Sequence, residues 1–403
     1  MNTTHIVLFD VDGVLVEDRG YHAGINATLN HFGRLMGIDQ TAIDDTTREV
    51  FHAHGYTNEW DLCPFAIGAM IVEALRHTPQ FKLQTMPLDE FLKQFHLDQS
   101  GAIPCIDYLE QTERFTGTPS ERAQAVLREA LTPIPLDDDT RLAVESTLHE
   151  ILADPYDITH SIITQILQEH VLGSSAFEET YHLRSRFDVP SLLYSEDRSL
   201  LEPDAQHTLD RLVLSKRAKV CVYTARPSLP PLDDVNWLTE VGRRPIGYSP
   251  EAELALQLIG LEDYPLIAMG RMQWLAARVK QPVEYLTKPA PVQALAAIGA
   301  ALSRQETESL MAAYALVSRG EVIGPLIELR DQSIEVWAVE DAVLGLHAAR
   351  GAIELLRRFE IDARLHGIGI SKGGPKADAL APLCEVVLAN VNEAIDYIAR
   401  AVE

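Results

Sequence analysis

The sequence predicts an α/β fold in which a doubly wound parallel sheet forms the core and a large α-helical domain is inserted near its beginning. Three observations predict this organisation. Short apolar runs such as Ile6–Phe9, Ala218–Tyr223 and Ile334–Val339 are typical of parallel strands buried on both faces. Segments with apolar residues at helical spacing follow the second and the third of these runs. Between about Tyr21 and Tyr194, in contrast, little of the sequence has the pattern of a strand.

Length and composition are those of a globular protein with two or three domains. The chain has 403 residues, 46% of them hydrophobic, which is sufficient for an ordinary core. Its net charge is −25, from 59 acidic and 34 basic residues. This charge argues against nucleic acid as a partner, because binding to a phosphate backbone requires a positive surface. It would also slow an anionic substrate unless the site were locally positive.

No feature of the sequence indicates secretion or insertion into a membrane. No apolar run approaches the ~18 residues of a membrane span, and the first residues lack the pattern of a secretory signal. We interpret the cysteines as reduced packing thiols, because Cys63, Cys105, Cys221 and Cys384 have no C-x-x-C spacing. We therefore expect a cytoplasmic protein with no membrane partner. The sequence does not predict its oligomeric state.

The first predicted strand is followed directly by two acidic residues. Asp10 ends the run Ile6–Phe9, Asp12 comes two residues later, and Gly13 permits a sharp turn. Open α/β sheets bind ligands beyond the carboxyl ends of their strands, so these carboxylates are placed for chemistry. An Asp- and Gly-rich turn can also be a plain loop.

The inserted helical domain is predicted over residues 17–199, which leaves 1–16 and 200–403 for the core. His52 and His54 could suggest a metal site, but His-x-His on a helix does not place both rings on one face, so surface histidines are favoured. The predicted helices are Ile25–Met36, Ala42–His52, Phe65–His77, Leu88–Phe95, Ser120–Leu131, Asp139–Leu152 and Thr159–Leu172.

The α/β pattern resumes near Leu200. Strands are predicted at Ala218–Tyr223, Leu266–Met269, Val283–Leu286, Ile334–Val339, Gly367–Ser371 and Val386–Leu388. Helices are predicted at Ala205–Leu214, Pro250–Ile259, Pro291–Leu302, Glu306–Ser318 and Asn392–Val402, with one more after Asp341.

Four of the predicted strands end in residues that can carry chemistry: Asp10 with Asp12, Thr224, Lys288, and Glu340 with Asp341. Each has a structural explanation when it is taken alone. Thr224 could be a helix cap, Lys288 a surface lysine, and Glu340 with Asp341 an acidic pair in the first turn of a helix. Their order along the chain, each directly after an apolar run, favours one shared site.

These motifs resemble those of the haloacid-dehalogenase-like phosphohydrolase superfamily, which are an Asp-x-Asp-Gly, a Ser or Thr, a Lys and an acidic pair in that order. The resemblance covers about Thr4–Val16 and Leu200–Val402 and implies a Rossmann-like core. Residues 287–291 and 339–345 are closest to the subgroup with a helical cap inserted after the first motif. The sequence departs from the family in its Val-Glu-Asp fourth motif, in a longer 303–333 segment and in a larger cap.

The resemblance implies a phosphoric monoester hydrolase that acts on a small phosphorylated metabolite. Asp10 would be the nucleophile that forms an aspartyl-phosphate, and Asp12 would protonate the leaving oxygen and later activate water. Thr224 and Lys288 would bind the transferring phosphoryl group. The presence of Asp12 argues for phosphoryl transfer, since dehalogenase members lack the second aspartate and the metal.

The resemblance also implies a magnesium cofactor, which suits a site made of oxygen ligands. Asp10, the backbone carbonyl of Asp12 and Asp341 would bind the metal, and Glu340 would be a ligand either directly or through another group.

Three other residues are candidates for substrate binding. Arg226 follows Thr224 closely and could meet a second anionic group, although a surface role is nearly as good an explanation. Asn58 and Trp60 lie where the helical pattern breaks between Gly55 and Asp61, as in a substrate-binding loop or in a turn with a packing tryptophan. The Lys372-Gly373-Gly374 segment could cradle a phosphate, but a simple turn is favoured.

Two other functions remain open at this stage. A phosphomutase of sugar phosphates is one, because a Glu-Asp fourth motif also occurs among the mutases of this superfamily. The other is a metabolite-binding protein that keeps the fold without turnover. Release of inorganic phosphate would indicate the hydrolase, and an isomerised sugar phosphate would indicate the mutase.

Overall fold

The computed structural model describes residues 3–39, 41–78, 80–95, 106–234 and 248–402, and Cys105 lies outside these ranges. The chain forms two compact units: one comprises Met1–Arg19 with Glu196–Glu403, and the other comprises Gly20–Ser195. The predicted α/β class is confirmed, because the first unit contains a six-stranded sheet whose strands are all parallel.

The sheet is built around its first strand. The strands are β1 (Thr3–Phe9), β2 (Val16–Glu17), β3 (Arg198–Ser199), β4 (Ala218–Tyr223), β5 (Leu266–Ile267), β6 (Ser333–Glu340), β7 (Ala363–Ile370) and β8 (Val386–Leu388). The spatial order in the sheet is β5-β4-β1-β6-β7-β8, so the chain fills one side of β1 and then crosses to the other. Ligands of open α/β sheets bind beside such a reversal, at the carboxyl ends of the strands. The short β2 and β3 pair with each other in a separate antiparallel ribbon.

Strand β1 is buried on both faces. Ile6 and Leu8 belong to one hydrophobic cluster and Val7 and Phe9 to another, as expected from the alternation of side chains along a strand. Phe9 pairs with Val222 of β4 on one side and with Val339 of β6 on the other. The residues that follow these three positions therefore meet at one edge of the sheet.

Helices are the regular secondary structure of the second unit within its described residues. They are α1 (Arg19–Met36), α2 (Asp45–Ala53), α3 (Glu59–His77), α4 (Leu88–Leu92), α5 (Ile106–Thr112), α6 (Pro119–Leu131), α7 (Asp138–Ala153), α8 (Ile162–Leu172), α9 (Ser174–Tyr181) and α10 (Leu192–Glu196). All seven predicted helices are present, although α1 begins at Arg19 rather than Ile25 and α4 ends at Leu92. The sequence did not predict the short α5, α9 and α10.

Side-chain caps fix where these helices begin. Thr118 and Glu121 form a capping box at the start of α6, where Pro119 needs no hydrogen-bond partner for its nitrogen. Asn58 caps α3 by accepting a hydrogen bond from the backbone amide of Asp61 at 3.0 Å. The break in helical periodicity that the sequence shows at Gly55–Asp61 is therefore the start of a helix.

The helices of the first unit cover both faces of the sheet. They are α11 (Pro203–Leu214), α12 (Glu251–Ile259), α13 (Met269–Val279), α14 (Pro291–Ser303), α15 (Glu306–Arg319), α16 (Val343–Arg358), α17 (Gly374–Leu380) and α18 (Val391–Val402). Helices α14 and α16 pack on the face that contains Ile6, whereas α11 and α18 pack on the opposite face.

The predicted strand Val283–Leu286 is wrong, because residues Val283–Tyr285 form a 3-10 turn. Pro282 fixes the backbone at the start of the turn and accepts a hydrogen bond from the Tyr285 amide at 3.2 Å. Tyr285 is 71% exposed, which is incompatible with a strand buried on both faces. The sequence also failed to indicate α13, which begins two residues after β5 ends.

Within the described residues, no single helix has both the length and the apolar character needed to cross a bilayer. One pair of helices, Glu306–Arg319 and Gly324–Asp331, meets these criteria only when the two are joined across a 75° bend.

Candidate active site

Three carboxylates meet at the edge of the sheet where β1 and β6 end. Asp10 follows β1, Glu340 is the last residue of β6, and Asp341 comes next. One carboxylate oxygen of each residue lies within 4.8 Å of one oxygen of each of the others. The register explains this arrangement, because the Asp10 amide still donates to the Val339 carbonyl at 3.1 Å and so continues the pairing of β1 with β6.

Two glycines make room for these carboxylates. A Cβ atom at Gly13 would lie 2.2 Å from Oδ2 of Asp341, and Gly13 has a φ of +70°, which disfavours other residues. A Cβ atom at Gly345, in the first turn of α16, would lie between 1.9 and 2.2 Å from the carboxylate atoms of Glu340. The carboxylates of Asp341 and Glu340 therefore occupy space that any other residue at these two positions would fill.

Lys288 is the cation inside this cluster. Its buried ammonium lies 2.9 Å from Oε1 of Glu340 and 3.3 Å from Oδ1 of Asp10. It also donates to the Tyr223 carbonyl at 3.1 Å and lies 3.9 Å from the centre of the Tyr223 ring. The lysine that the sequence predicts at this edge is thus in contact with two of the predicted acids.

Gln293 of α14 fixes the segments that carry Lys288 and Thr224. Its side-chain oxygen accepts a hydrogen bond from the Lys288 amide at 3.2 Å. Its side-chain nitrogen donates to the backbone carbonyls of Thr224 and Ile267, at 2.8 and 3.1 Å. Gln293 is 1% exposed, so a fully buried amide joins two predicted motifs that are more than 60 residues apart in sequence. An isolated Gln in an apolar helix forms no recognisable motif, so the sequence alone does not indicate this residue.

One ammonium does not balance the negative charge around it. Burial, opposed by Lys288 and reinforced by Asp10, raises the pKa of Glu340 to about 8. Asp10 and Glu340 together raise the pKa of Lys288 in spite of its burial, so the lysine stays charged. Burial and the nearby Asp10 also raise the pKa of Asp341. The site therefore favours additional positive charge.

The donor set fits a divalent cation that prefers oxygen ligands. The candidate donors are carboxylates, which are the preferred ligands of hard cations. Among the described residues, neither carboxylate oxygen of the fully buried Glu340 has a hydrogen bond of regular geometry, although Lys288 lies within ion-pair distance of one of them. Asp10, Glu340 and Asp341 could thus hold a metal ion.

Asp12 and Thr224 contact Arg226. The Arg226 guanidinium bonds to Oδ1 of Asp12, and the Arg226 amide donates to the Thr224 hydroxyl at 3.2 Å. The guanidinium also pairs with Asp197 at 3.0 Å. No sequence pattern indicates Asp197, since it follows a helical segment rather than a predicted strand. Thr224 itself lies directly after β4 and is 1% exposed.

Lys376 of α17 is a second cation, and no motif in the sequence predicts it. Its ammonium lies 2.5 Å from Oδ2 of Asp341, and its side chain is 49% exposed. It comes just after the Lys372-Gly373-Gly374 segment, whose glycines at positions 373 and 374 have φ values of +115° and +73°. That glycine pair was the available signal, but it indicates only a turn.

Asn58 and Trp60 belong to the second unit. The Asn58 side chain donates to the Tyr156 hydroxyl at 2.8 Å, and the Trp60 ring meets the Tyr156 ring edge to face with centroids 5.6 Å apart. The buried Asp61 accepts hydrogen bonds from Asn58 and Tyr156. A substrate-binding role for Asn58 and Trp60 stays a prediction.

Replacing Gly345 with Ala should displace Glu340 and lower stability. The added methyl would overlap a carboxylate that is completely buried, and overpacking of this kind costs about 1–3 kcal/mol. Gly351→Ala in the same helix is the control, because a Cβ atom there would lie 3.4 Å from Pro291, an ordinary contact. We expect thermal denaturation to show a lower melting temperature for Gly345→Ala and no decrease for Gly351→Ala. Equal melting temperatures would show that Glu340 can move away.

Comparisons with known proteins give the fold alone. No protein-family model matches the sequence, and no curated protein matches it. An X-ray structure of a Northeast Structural Genomics Consortium target is similar over 98% of both chains, with 16% sequence identity and a TM-score of 0.63. This likeness supports the α/β architecture described above.

Two further solved structures show weaker likeness. The phosphatase Tt82 from Thermococcus thioreducens has 16% identity and a TM-score of 0.41, with 98% of each chain covered. A hydrolase from Pseudomonas syringae has 12% identity and a TM-score of 0.31, again over 98% of both chains. Both scores are too low to support a conclusion about this chain.

Proposed function

We propose that the protein is a magnesium-dependent phosphatase that hydrolyses a small phosphorylated metabolite through an aspartyl-phosphate on Asp10. The observation that carries the proposal is the meeting of Asp10, Glu340 and Asp341 at one edge of the sheet, with the ammonium of Lys288 in contact with Asp10 and Glu340. The resemblance of the four motifs to the haloacid-dehalogenase-like superfamily supports the same function. Lys288 and Lys376 also supply local positive charge in a strongly acidic protein.

In the first step, a carboxylate oxygen of Asp10 attacks phosphorus while the bond from phosphorus to the leaving oxygen breaks. Asp12 gives its proton to that oxygen, and the alcohol departs. In the second step, water attacks phosphorus and gives a proton to Asp12, and the bond between phosphorus and Asp10 breaks. Asp12 thus acts first as the acid and then as the base.

Lys288 would bind a phosphoryl oxygen while it keeps Asp10 and Glu340 in place. Thr224 would donate its hydroxyl hydrogen to a second phosphoryl oxygen, because that hydroxyl already accepts from the Arg226 amide. Asp10, Glu340, Asp341 and the backbone carbonyl of Asp12 would hold Mg²⁺. When bound, Mg²⁺ would reduce the repulsion between the carboxylates and the phosphate.

A screen of phosphorylated metabolites, with magnesium and with a chelator, tests the proposed function. We expect magnesium-dependent release of inorganic phosphate. An isomerised sugar phosphate as the main product would indicate a phosphomutase instead. Binding without any turnover across the screen would indicate a metabolite-binding protein.

Replacing Asp341 with Asn should raise the magnesium concentration needed for half-maximal activity by about tenfold or more, because the substitution removes one anionic ligand. It should not lower the melting temperature, because a half-buried carboxyl group, whose pKa is raised by burial and by Asp10, becomes a neutral amide of the same shape. The control is Asp378→Asn on the exposed side of α17. Magnesium titrations of activity measure the effect, and an unchanged requirement would show that Asp341 is not a ligand.

A further inference from the structure

The burial and the ion pairs of Arg226 differ from those of an arginine that is available to bind a substrate. Its side chain is 1% exposed. Nε lies 2.7 Å and Nη2 lies 2.6 Å from the same oxygen, Oδ1 of Asp12. Nη2 also lies 3.0 Å from Oδ2 of Asp197. One planar guanidinium therefore connects two carboxylates that are 185 residues apart in sequence.

The side chains of the two aspartates differ in their exposure to solvent. The Asp197 side chain is 1% exposed, and the residue directly precedes the ribbon strand β3, which pairs with β2. The Asp12 side chain is 36% exposed. The backbone of Arg226 is also fixed, because its amide donates to Thr224 and its carbonyl accepts from the Met269 amide at 3.0 Å. Arg226 is thus held at its base and by Asp197, and Asp12 is the accessible member of the group.

We propose that Arg226, held by Asp197, is a positioning residue for proton transfer by Asp12. The described contacts from Arg226 to Asp12 use Oδ1, and Oδ2 of this partly exposed side chain would then face the leaving oxygen. As the bond from phosphorus to the leaving oxygen breaks, the proton on Oδ2 of Asp12 moves to that oxygen. The paired donors of arginine suit this task better than the single ammonium of lysine. The inference rests on the proposed phosphatase function, and it assigns Arg226 to Asp12 rather than to a second anionic group of the substrate.

The test is the dependence of kcat/KM on the leaving group, measured with phenyl, nitrophenyl and dinitrophenyl phosphate. The ratio kcat/KM reports the steps up to phosphoryl transfer, so the later hydrolysis of the aspartyl-phosphate does not enter. A phenolate leaving group needs a proton, and dinitrophenolate needs almost none. General acid catalysis accelerates a reaction about 10²–10⁴-fold, so its loss should lower kcat/KM mainly for phenyl phosphate.

We expect Arg226→Lys to lower kcat/KM for phenyl phosphate at least about 100-fold and that for dinitrophenyl phosphate no more than about threefold. Asp12→Asn should give the same pattern, and Asp197→Asn a weaker form of it. Removing Arg226 alone takes a charge partner away from the buried Asp197, which destabilises a protein. The double variant Arg226→Met with Asp197→Asn removes both charges together and is measured alongside.

Arg271 provides a matched control. It is also 1% exposed and also lies between two carboxylates of the same unit, Glu253 and Glu306. It contacts none of the predicted site residues among its described hydrogen bonds. We expect Arg271→Lys to lower the melting temperature without changing the ratio between the phenyl and dinitrophenyl esters.

The outcomes separate the inference from the proposed function. Wild-type protein that hydrolyses none of the esters, and no compound in the metabolite screen, overturns both. In another outcome the wild type is active, and Asp12→Asn lowers kcat/KM mainly for phenyl phosphate. If folded Arg226 variants then show no such selective decrease, the inference is overturned and the phosphatase function stands. The inference is also overturned if kcat/KM of the Arg226 variants decreases equally for all esters, so that the ratio between the esters is unchanged as in Arg271→Lys. A selective decrease in Arg226→Lys or in the double variant supports it.

Discussion

Replacing Asp10 with Asn should lower turnover at least about 1000-fold and leave the melting temperature at or above that of the wild type. In the proposed mechanism Asp10 is the nucleophile, and an amide cannot replace it, so the phosphoryl group would have no acceptor. Stability should not decrease, because Asp10 is one of the charges that raise the pKa of Glu340 and Asp341. Phosphate release and thermal denaturation measure the two effects.

One result would contradict the role of Asp10 as the nucleophile. Residual activity above about 1% of the wild type, in a sample free of contaminating phosphatase, would mean that another group accepts the phosphoryl group. Asp378→Asn, which changes an exposed aspartate on α17 in the same way, should retain full activity.

Replacing Lys288 with Met should reduce both stability and activity. Glu340 is completely buried, and removing the cation of a buried ion pair costs about 3–5 kcal/mol of unfolding free energy. Turnover should fall about 10²–10³-fold, because the phosphoryl oxygens lose a positioned positive charge. Chemical denaturation and steady-state kinetics measure these changes.

A double variant separates the two roles of Lys288. Adding Glu340→Gln to Lys288→Met removes the buried charge that Lys288 had neutralised, so most of the lost stability should return. Activity should not return with it. Recovery of activity in the double variant would show that Lys288 serves only to balance Glu340.

The core of the site could be predicted because its parts follow buried strands. The apolar run before Asp10 and the run before Glu340 are long enough to be recognised, and parallel pairing brings their ends together. The strand before Thr224 was predicted with its correct bounds, Ala218–Tyr223. At these positions, local pattern and tertiary position depend on the same feature, which is burial on both faces.

Other parts could not be predicted because they depend on contacts distant in sequence. The residues before Lys288 form an exposed turn, and Gln293 rather than a strand sets the position of that lysine. The ion pair between Arg226 and Asp197 joins a loop to the residue before a two-residue ribbon strand. No periodicity in the sequence indicates this contact. Lys376 lies in a short helix with no apolar pattern before it.

The position of β1 in the sheet has a consequence for synthesis on the ribosome. β1 is translated before both strands that pair with it, since β4 begins at Ala218 and β6 at Ser333. The intervening residues 20–195 form a compact unit that is contiguous in sequence, and domains generally fold as units during synthesis. Until β6 has been translated, the apolar β1 has an unpaired edge, and such edges aggregate or recruit chaperones.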